Sequence, residues 1–195
     1  MKIYNTNFSG LKLVKGKNYY DNRGYFREIL QNRIFKNKKF ILWCVSKSKK
    51  NIIRGLHLQK KVKQDLFVSV IKGKIFDVAV DLRKNSRKYG KYSSNILSEK
   101  NATSLFIPSG FAHGFCSLAN ESIVLYGISN YRSAINEIGI LWNDQNLKIY
   151  DSQIIGNTAA MGAGGGIAIY LSNDVIIDNI VLNNNSTSSP EGYRV

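Results

Sequence analysis

The sequence predicts an all-β protein, folded as a barrel or jelly roll with one or two short helices and an atypical C-terminal tail. Two β-rich runs, 66–71 and 75–82, flank the turn Lys72-Gly73-Lys74 and predict a hairpin. No long stretch has the periodicity of an amphipathic helix, and only 31–36 suggests a short one. Many short strands separated by turn signals are typical of barrels and jelly rolls. Further strands are expected at 104–107, 114–118 and 122–129.

The run 75–82 alternates between two kinds of side chain. A period of two is the signature of a β-strand with different surfaces on its two sides. One face carries Asp77, Ala79 and Asp81, and the other carries Phe76, Val78 and Val80.

Composition limits the class of protein. The chain has 195 residues, of which 44% are hydrophobic and 21% charged, as in soluble globular proteins. No stretch approaches the roughly 20 apolar residues that span a bilayer, and the first ten residues do not resemble a signal peptide. Cys44 and Cys116 are the only cysteines and lack CxxC spacing. We therefore expect a protein of the reducing cytoplasm with no membrane partner.

The net charge of +15 is large enough to suggest an anionic partner. However, the lysines are scattered singly, apart from short runs such as 47–50, and no nucleic-acid-binding motif accompanies them. We attribute most of the charge to a solvated surface and expect no nucleic-acid partner, although a few arginines suit a diphosphate. A nucleic-acid binder remains an alternative that rests on charge alone.

The chain changes character near Tyr150. Residues 1–150 hold 27 of the 28 basic and 9 of the 13 acidic residues, whereas 151–195 is rich in Gly, Asn and Ser. The change predicts one domain at 1–150 and a separate tail at 151–195. Segments 154–158 and 181–186 echo each other loosely and resemble rungs of a right-handed parallel β-helix. A flexible, low-complexity tail is the alternative, because two partial rungs cannot bury a solenoid core.

The two histidines occupy distinctive settings. His57 lies between Leu56 and Leu58 in a strand-like run, so its side chain is expected on the face opposite the leucines. Arg54 lies three residues earlier and would point to the other face of a regular strand, unless Gly55 introduces a bulge.

His113 ends a Pro-x-Gly-x-x-His arrangement at 108–113, which resembles the second half of the cupin signature. Cupins often bind a metal through a His-x-His pair, a Glu and a later His. Here His57 is followed by Leu58-Gln59, and no carboxylate has the required spacing. A metal-free cupin-type jelly roll is therefore predicted.

Several longer motifs follow one another along the chain, at 21–28, 46–51, 54–59, 77–83, 106–115, 126 and 139–144. Over roughly residues 8–149 they resemble the dTDP-4-dehydrorhamnose 3,5-epimerases and their sugar-nucleotide relatives. The resemblance implies a homodimer that needs no cofactor. It also implies the substrate, dTDP-4-dehydro-6-deoxy-D-glucose, which is epimerised at C3 and C5 to dTDP-4-dehydro-L-rhamnose.

The implied chemistry is proton transfer beside the C4 ketone. Removing the hydrogen on C3 or C5 gives an enolate, and a neutral imidazole is a suitable base at neutral pH. His57 matches the base of the family, and Tyr126 matches the acid that returns a proton from the opposite face. A half-buried strand aromatic is the structural alternative for Tyr126.

The resemblance also implies a substrate-binding set, Arg23, Glu28, Arg54, His113 and Glu137. The arginines match residues that hold the diphosphate, because a planar guanidinium forms charge-assisted pairs. The two acids match substrate contacts, and the histidine matches one that lines the sugar site. Asp77 matches a supporting acid on the inner face of the predicted hairpin. A surface salt bridge or a buried hydrogen bond is the structural alternative for each.

The sequence departs from the family at four places. Gln64-Asp65-Leu66-Phe67 stands where the family usually has a lysine that stabilises the enolate, and Lys63 is out of register. Leu42-Trp43-Cys44 replaces a Gln-x-Asn stretch that contacts substrate, and Arg132 replaces an aromatic that stacks on thymine. The family's C-terminal aspartate, which orients the catalytic histidine, has no match in context, although Asp151 is available.

These departures leave two further hypotheses. One is a catalytically impaired or dead cupin that binds a nucleotide sugar. The other is an epimerase that acts at C3 only.

Overall fold

A computed structural model describes residues 1–35 and 38–140, together with the backbone of four short strands between 153 and 187. The first five strands are β1 (Lys2–Asn5), β2 (Lys12–Lys15), β3 (Tyr19–Asp21), β4 (Gly24–Phe26) and β5 (Leu42–Lys49). The next four are β6 (Ile53–Gln59), β7 (Leu66–Lys72), β8 (Lys74–Asp81) and β9 (Tyr92–Ser98). They are followed by β10 (Thr103–Ile107), β11 (Phe111–Ser117), β12 (Glu121–Ile128) and β13 (Glu137–Gly139).

Two antiparallel sheets form the body of the protein. One has the strand order β1-β2-β10-β7-β12-β5, and the other has the order β13-β6-β11-β8-β9. The main hydrophobic core joins them, because it contains Val68, Val70 and Val124 from the first sheet and Ile75 and Phe115 from the second. The predicted all-β jelly roll is therefore confirmed.

Helical structure is limited to short turns in the described ranges. Two 3-10 turns cover Asn32–Phe35 and Ala134–Asn136, in line with the one or two short helices expected. Within these ranges no helix has the length and apolar character needed to cross a membrane.

The strands predicted at 66–71 and 75–82 are present, but the prediction that they form a hairpin is wrong. β7 and β8 lie in different sheets, and the single residue Gly73 carries the chain across. Gly73 has φ +83°, and a Cβ there would lie 2.3 Å from the Glu121 carbonyl oxygen. A tight glycine turn suits a hairpin and a sheet-to-sheet corner equally well, so the local pattern did not distinguish them.

The alternation along β8 is confirmed. Ile75 and Ala79 belong to the core between the sheets. Val78 and Val80 belong to a second cluster on the other side of the strand, with Phe76 packed against it. Asp77 is fully buried and lies on the side of Ile75 and Ala79.

The bulge that the sequence left open at Gly55 occurs in β6. His113 of β11 pairs with His57, and Phe115 pairs with Arg54, so two steps on β11 oppose three on β6. Gly55 supplies the extra residue with φ +112°, and a Cβ there would lie 2.4 Å from the Cα of Gly114. The bulge places Arg54 and His57 on one face of the strand.

The described strands of the tail differ from the rest because they pair in parallel. β14 (Gln153–Ile155) pairs with β16 (Val181–Asn183), and β15 (Thr158–Ala159) pairs with β17 (Ser186–Thr187). Gln153 pairs with Val181 and Thr158 pairs with Ser186, so the two partners are 28 residues apart in both cases. This parallel pairing agrees with a β-helix rung. The segments between these four strands lie outside the described residues. A separate tail domain therefore stays a prediction.

Candidate functional site

A cleft of about 410 Å³ lies between the two sheets. Strands β5, β7 and β12 of one sheet and β6, β11 and β13 of the other contribute to its walls. Five of the eight predicted site residues line it, namely Arg54, His57, His113, Tyr126 and Glu137. The remaining lining residues are Ser46, Gly55, Leu58, Gln59, Gln64, Leu66, Gly110, Phe111, Phe115, Ile128 and Arg132.

His113 and Asp77 form a buried pair at the back of the cleft. The Nε2 atom of His113 lies 2.7 Å from Oδ2 of Asp77, and both side chains are almost inaccessible to solvent. The strands β11 and β8 are central neighbours in their sheet, which explains this burial. Asp77 Oδ1 has no hydrogen-bond partner among the described residues. The predicted supporting acid therefore reaches the cleft through His113.

His57 lies opposite His113 in the sheet, but its side chain is 58% exposed. The nearest carboxylate within the described ranges belongs to Glu137, whose Oε1 is 3.9 Å from Nδ1 of His57. This distance is longer than a hydrogen bond. The imidazole is therefore open to the cleft and is not bound in a buried pair.

Glu137 is held by two other side chains. Arg132 donates to both carboxylate oxygens, and Nε2 of Gln59 donates to Oε2 at 3.2 Å. The hydrogen bond from Arg132 lowers the pKa of Glu137, partial burial opposes this, and the charges of Arg132 and His57 lower it further. The carboxylate is thus kept ionised. The Arg132–Glu137 pair was missed at the sequence level, where Arg132 matched only a base-stacking position.

Tyr126 projects into the cleft from the opposite sheet. Its Oη lies 2.9 Å from Oγ of Ser46. This contact was not predicted from the sequence, although Ser46 is the first residue of the motif at 46–51. Burial raises the pKa of Tyr126 to about 12, while the hydrogen bond with Ser46 acts in the opposite direction. The phenol therefore keeps its proton at neutral pH and can donate it.

Arg54 is fixed at the cleft by hydrogen bonds of its own. Its Nε donates to Oγ of Ser48 at 2.9 Å, and Nη2 donates to the carbonyl of Lys47 at 3.1 Å. These bonds leave guanidinium N–H groups free for an anion. Its location agrees with the predicted role in holding a diphosphate.

Arg23 and Glu28 do not line the cleft of a single chain. Arg23 pairs with Asp21, and its side chain is 89% exposed. Glu28 accepts a hydrogen bond from Gln31. The neighbouring Tyr25 donates to the carbonyl of Ile71. Ile71 lies near one end of β7, and the cleft residue Leu66 begins the other end. The cleft of a single chain therefore does not include them, and their contact with substrate stays a prediction.

The departures from the family are visible in the cleft. Gln64 and Leu66 line it where the family places a lysine, and Lys63 does not. The cationic side chains on the described lining are those of Arg54 and Arg132. Asp151 and residues 142–144 lie outside the described residues. Elsewhere in the described chain, no three His, Cys, Asp or Glu residues are grouped in a way that could hold a metal ion.

Comparison with known proteins identifies the family. The sequence profile described as dTDP-4-dehydrorhamnose 3,5-epimerase matches residues 5–160. The chain is 40% identical over 152 residues to an enzyme of that name from Methanothermobacter thermautotrophicus, covering 76% of this chain and 82% of the relative. It is 36% identical over 155 residues to the Escherichia coli enzyme, covering 76% and 84%.

Solved structures agree. An epimerase from Legionella pneumophila, in complex with dTDP-4-keto-L-rhamnose, superposes with a TM-score of 0.73 at 37% identity, covering 76% of this chain and 81% of the other. A Bacillus anthracis epimerase with TDP and pyrophosphate bound gives a TM-score of 0.72 at 40% identity, covering 76% and 88%. The chain therefore belongs to the dTDP-4-dehydrorhamnose 3,5-epimerase family.

Proposed function

We propose that the protein epimerises dTDP-4-dehydro-6-deoxy-D-glucose at C3 and C5, giving dTDP-4-dehydro-L-rhamnose. The observation that carries this proposal is that His57 and Tyr126 face one cleft from opposite sheets. Inversion requires two proton-handling groups on opposite faces of a sugar ring. A base and an acid that stand on opposite walls meet that requirement.

His57 is the base. Its imidazole takes the proton from C3 or C5, and the electron pair of the C–H bond moves toward the C4 ketone, whose oxygen becomes an enolate. An exposed imidazole can reach a substrate in the cleft, whereas His113 is committed to Asp77. His113 then serves as a wall of the sugar site.

Tyr126 is the acid. Its phenol donates a proton to the opposite face of the same carbon, the enolate collapses to the ketone, and the centre is inverted. Because burial raises the pKa of Tyr126 to about 12, the phenol stays protonated across the neutral range. After each inversion the Tyr126 phenolate takes a proton from solvent and the His57 imidazolium gives one to solvent, so both groups are reset before the next centre is inverted.

Arg54 supports recognition of a nucleotide-linked sugar, because its fixed guanidinium suits a diphosphate. The proposed base, acid and arginine are all side chains of this chain, so the reaction as proposed uses no cofactor. Both cysteines are free thiols, in keeping with the reducing cytoplasm where we place the protein.

We further propose that the protein acts as a homodimer, with Arg23 and Glu28 reaching the cleft of the second copy. The β3–β4 hairpin that carries Arg23 exposes large aromatic side chains, which a dimer interface would cover: Tyr19, Tyr20 and Phe26. Mixing Arg23→Glu and His57→Asn subunits tests this arrangement. A mixed dimer regains one complete site if Arg23 acts across the interface, and none if it acts within its own chain.

The proposed reaction predicts solvent exchange. Incubation with the 4-keto substrate in D₂O should place deuterium at both C3 and C5, as read by NMR. Label at C3 alone would assign a C3 epimerase instead. No label at either carbon, with the protein folded, would sink the proposal.

A second candidate is a cupin that binds the nucleotide sugar without turning it over. The observation in its favour is Leu66, an apolar side chain on the cleft wall where the family has a lysine. Losing an electrostatic group aimed at developing charge costs about 10²–10³ in rate. This candidate predicts binding by calorimetry without deuterium exchange, so detectable exchange excludes it.

A further inference from the structure

Strand β13 brings one carboxylate to His57. Gly139 pairs with His57 across the two strands, and Glu137 lies two residues away on the same face. Gly139 lies beside the ring, since a Cβ there would be in ordinary van der Waals contact with Cδ2 of His57 at 3.7 Å. Within the described ranges, Glu137 is the sole acidic residue with an oxygen within 4.0 Å of a His57 nitrogen.

The carboxylate is anchored by two side chains, one of which also holds the oxygen that faces the imidazole. Gln59 donates to Oε2, and Arg132 donates to both oxygens. Oε1 is the oxygen that faces Nδ1 of His57 at 3.9 Å. The terminal torsion of a glutamate is broad, so an approach of about 1 Å to hydrogen-bond distance is a small movement.

Among the described residues, the other charged groups around His57 do not offer Nδ1 a free acceptor. Arg54 on the same strand and Arg132 beside β13 only donate hydrogen bonds. His113, opposite on β11, is paired with Asp77. A base needs one ring nitrogen protonated and the other free, and the hydrogen bond made by the first decides which.

We propose that Glu137 is the positioning residue of His57: it accepts the Nδ1–H hydrogen bond and leaves Nε2 unprotonated and facing the substrate. This deepens the proposed function, because it assigns the orienting role to a residue that the resemblance offered only as a substrate contact. Arg132 and Gln59 keep the carboxylate ionised and in place. The neutral imidazole is thereby held in the tautomer that a base requires.

The substrate-free protein tests this directly, because it contains only two histidines. Imidazole ¹⁵N NMR at a pH where both rings are neutral should show Nδ1–H as the main tautomer of His57. Glu137→Ala should shift the population toward Nε2–H, and Glu137→Gln, which keeps one acceptor oxygen, should give an intermediate shift. The His113 signals should stay unchanged and so report that the fold is intact.

Glu121→Gln is the matched control, because its carboxylate pairs with the surface lysines 47 and 72 and does not contact His57. It should leave both histidine spectra unchanged. An unchanged His57 spectrum in Glu137→Ala overturns the proposal. The proposal is also overturned if Asp144→Asn or Asp151→Asn shifts the His57 tautomer and Glu137→Ala does not.

Kinetics separate positioning from substrate contact. Glu137→Ala should lower kcat by about tenfold or more with little change in KM, whereas loss of a plain contact would raise KM and leave the tautomer alone. Because the tautomer is read without substrate, absence of turnover would sink the proposed reaction without deciding the role of Glu137.

Discussion

His57 and His113 lie opposite each other on neighbouring strands, yet their surroundings differ sharply. His113 is buried, with Asp77 2.7 Å from its Nε2, whereas the side chain of His57 is 58% exposed and its nearest carboxylate is at 3.9 Å. The first arrangement is a buried pair at the wall of the cleft. The second leaves an imidazole that can reach a substrate and exchange a proton. Two histidines of one sheet therefore have different exposure and different partners, and the proposed function assigns them different roles.

The sheet topology explains the difference. β11 lies between β6 and β8 in the interior of its sheet, so His113 has neighbours on both sides. β6 is bordered on one side by β13, a strand of only three residues, and carries the bulge at Gly55. The position beside this short edge strand leaves His57 exposed, and the bulge turns it to the same face as Arg54.

The largest expected effect comes from breaking the buried pair. Asp77→Ala leaves His113 without its partner in the core, and removing one member of a buried pair costs about 3–5 kcal/mol. Urea unfolding at pH 7 measures the loss. Glu121→Gln, which alters a surface ion pair, should unfold at the wild-type urea concentration, and equal stability of wild type and Asp77→Ala would contradict a structural role for the pair.

Tyr126→Phe tests the wall opposite His57. Removing the phenol should slow formation of inverted product by about 10²-fold, because general acid catalysis is lost. Deuterium should still enter from the face of His57, so exchange and inversion become uncoupled. Loss of both to the same extent would argue against separate base and acid roles.

Gly55→Ala tests the bulge that places His57 and Arg54 on the same face of β6. An added Cβ would lie 2.4 Å from the Cα of Gly114 at a backbone φ of +112°. We expect a loss of about 2–3 kcal/mol from crowding and strain, with weaker ligand binding as the face reorganises. Gly90→Ala is the control, because it also has positive φ but meets nothing within 4 Å. If both variants lose the same stability, crowding at the bulge is not the cause.

A smaller effect is expected at Asp81, the other buried carboxylate on the face of β8 that carries Asp77. Burial tends to raise the pKa of Asp81, but hydrogen bonds from the side chain of Arg83, from Ser86 and from the Arg83 backbone outweigh it and lower the pKa. The stabilisation is therefore complete above the unfolded value of about 3.9 and is lost as pH falls through the lower folded value. Asp81→Asn should cost about 1–2 kcal/mol at pH 7 and less at pH 3 in urea unfolding. An undiminished difference at pH 3 would show that the charge is not responsible.

Local pattern predicted much of this molecule. Strand positions, the two faces of β8 and the bulge at Gly55 all follow from residues close together in sequence. The hairpin at Gly73 was wrong because a one-residue glycine corner looks alike whether the next strand joins the same sheet or the facing one. The link between Arg132 and Glu137 spans only five residues, across the 3-10 turn Ala134–Asn136, and was missed because Arg132 was matched to a base-stacking position. The position of Arg23 and Glu28 outside the cleft of their own chain reflects long-range packing.

The most direct measurement compares the two histidines in one experiment. Deuterium exchange at C3 and C5 of the 4-keto substrate should fall by about 10²–10⁴ in His57→Asn, because the base is gone. His113→Asn should bind substrate more weakly and lose stability but still exchange measurably at saturating substrate. Wild-type exchange in His57→Asn, with exchange abolished in a folded His113→Asn, would contradict the assignment of His57 as the base.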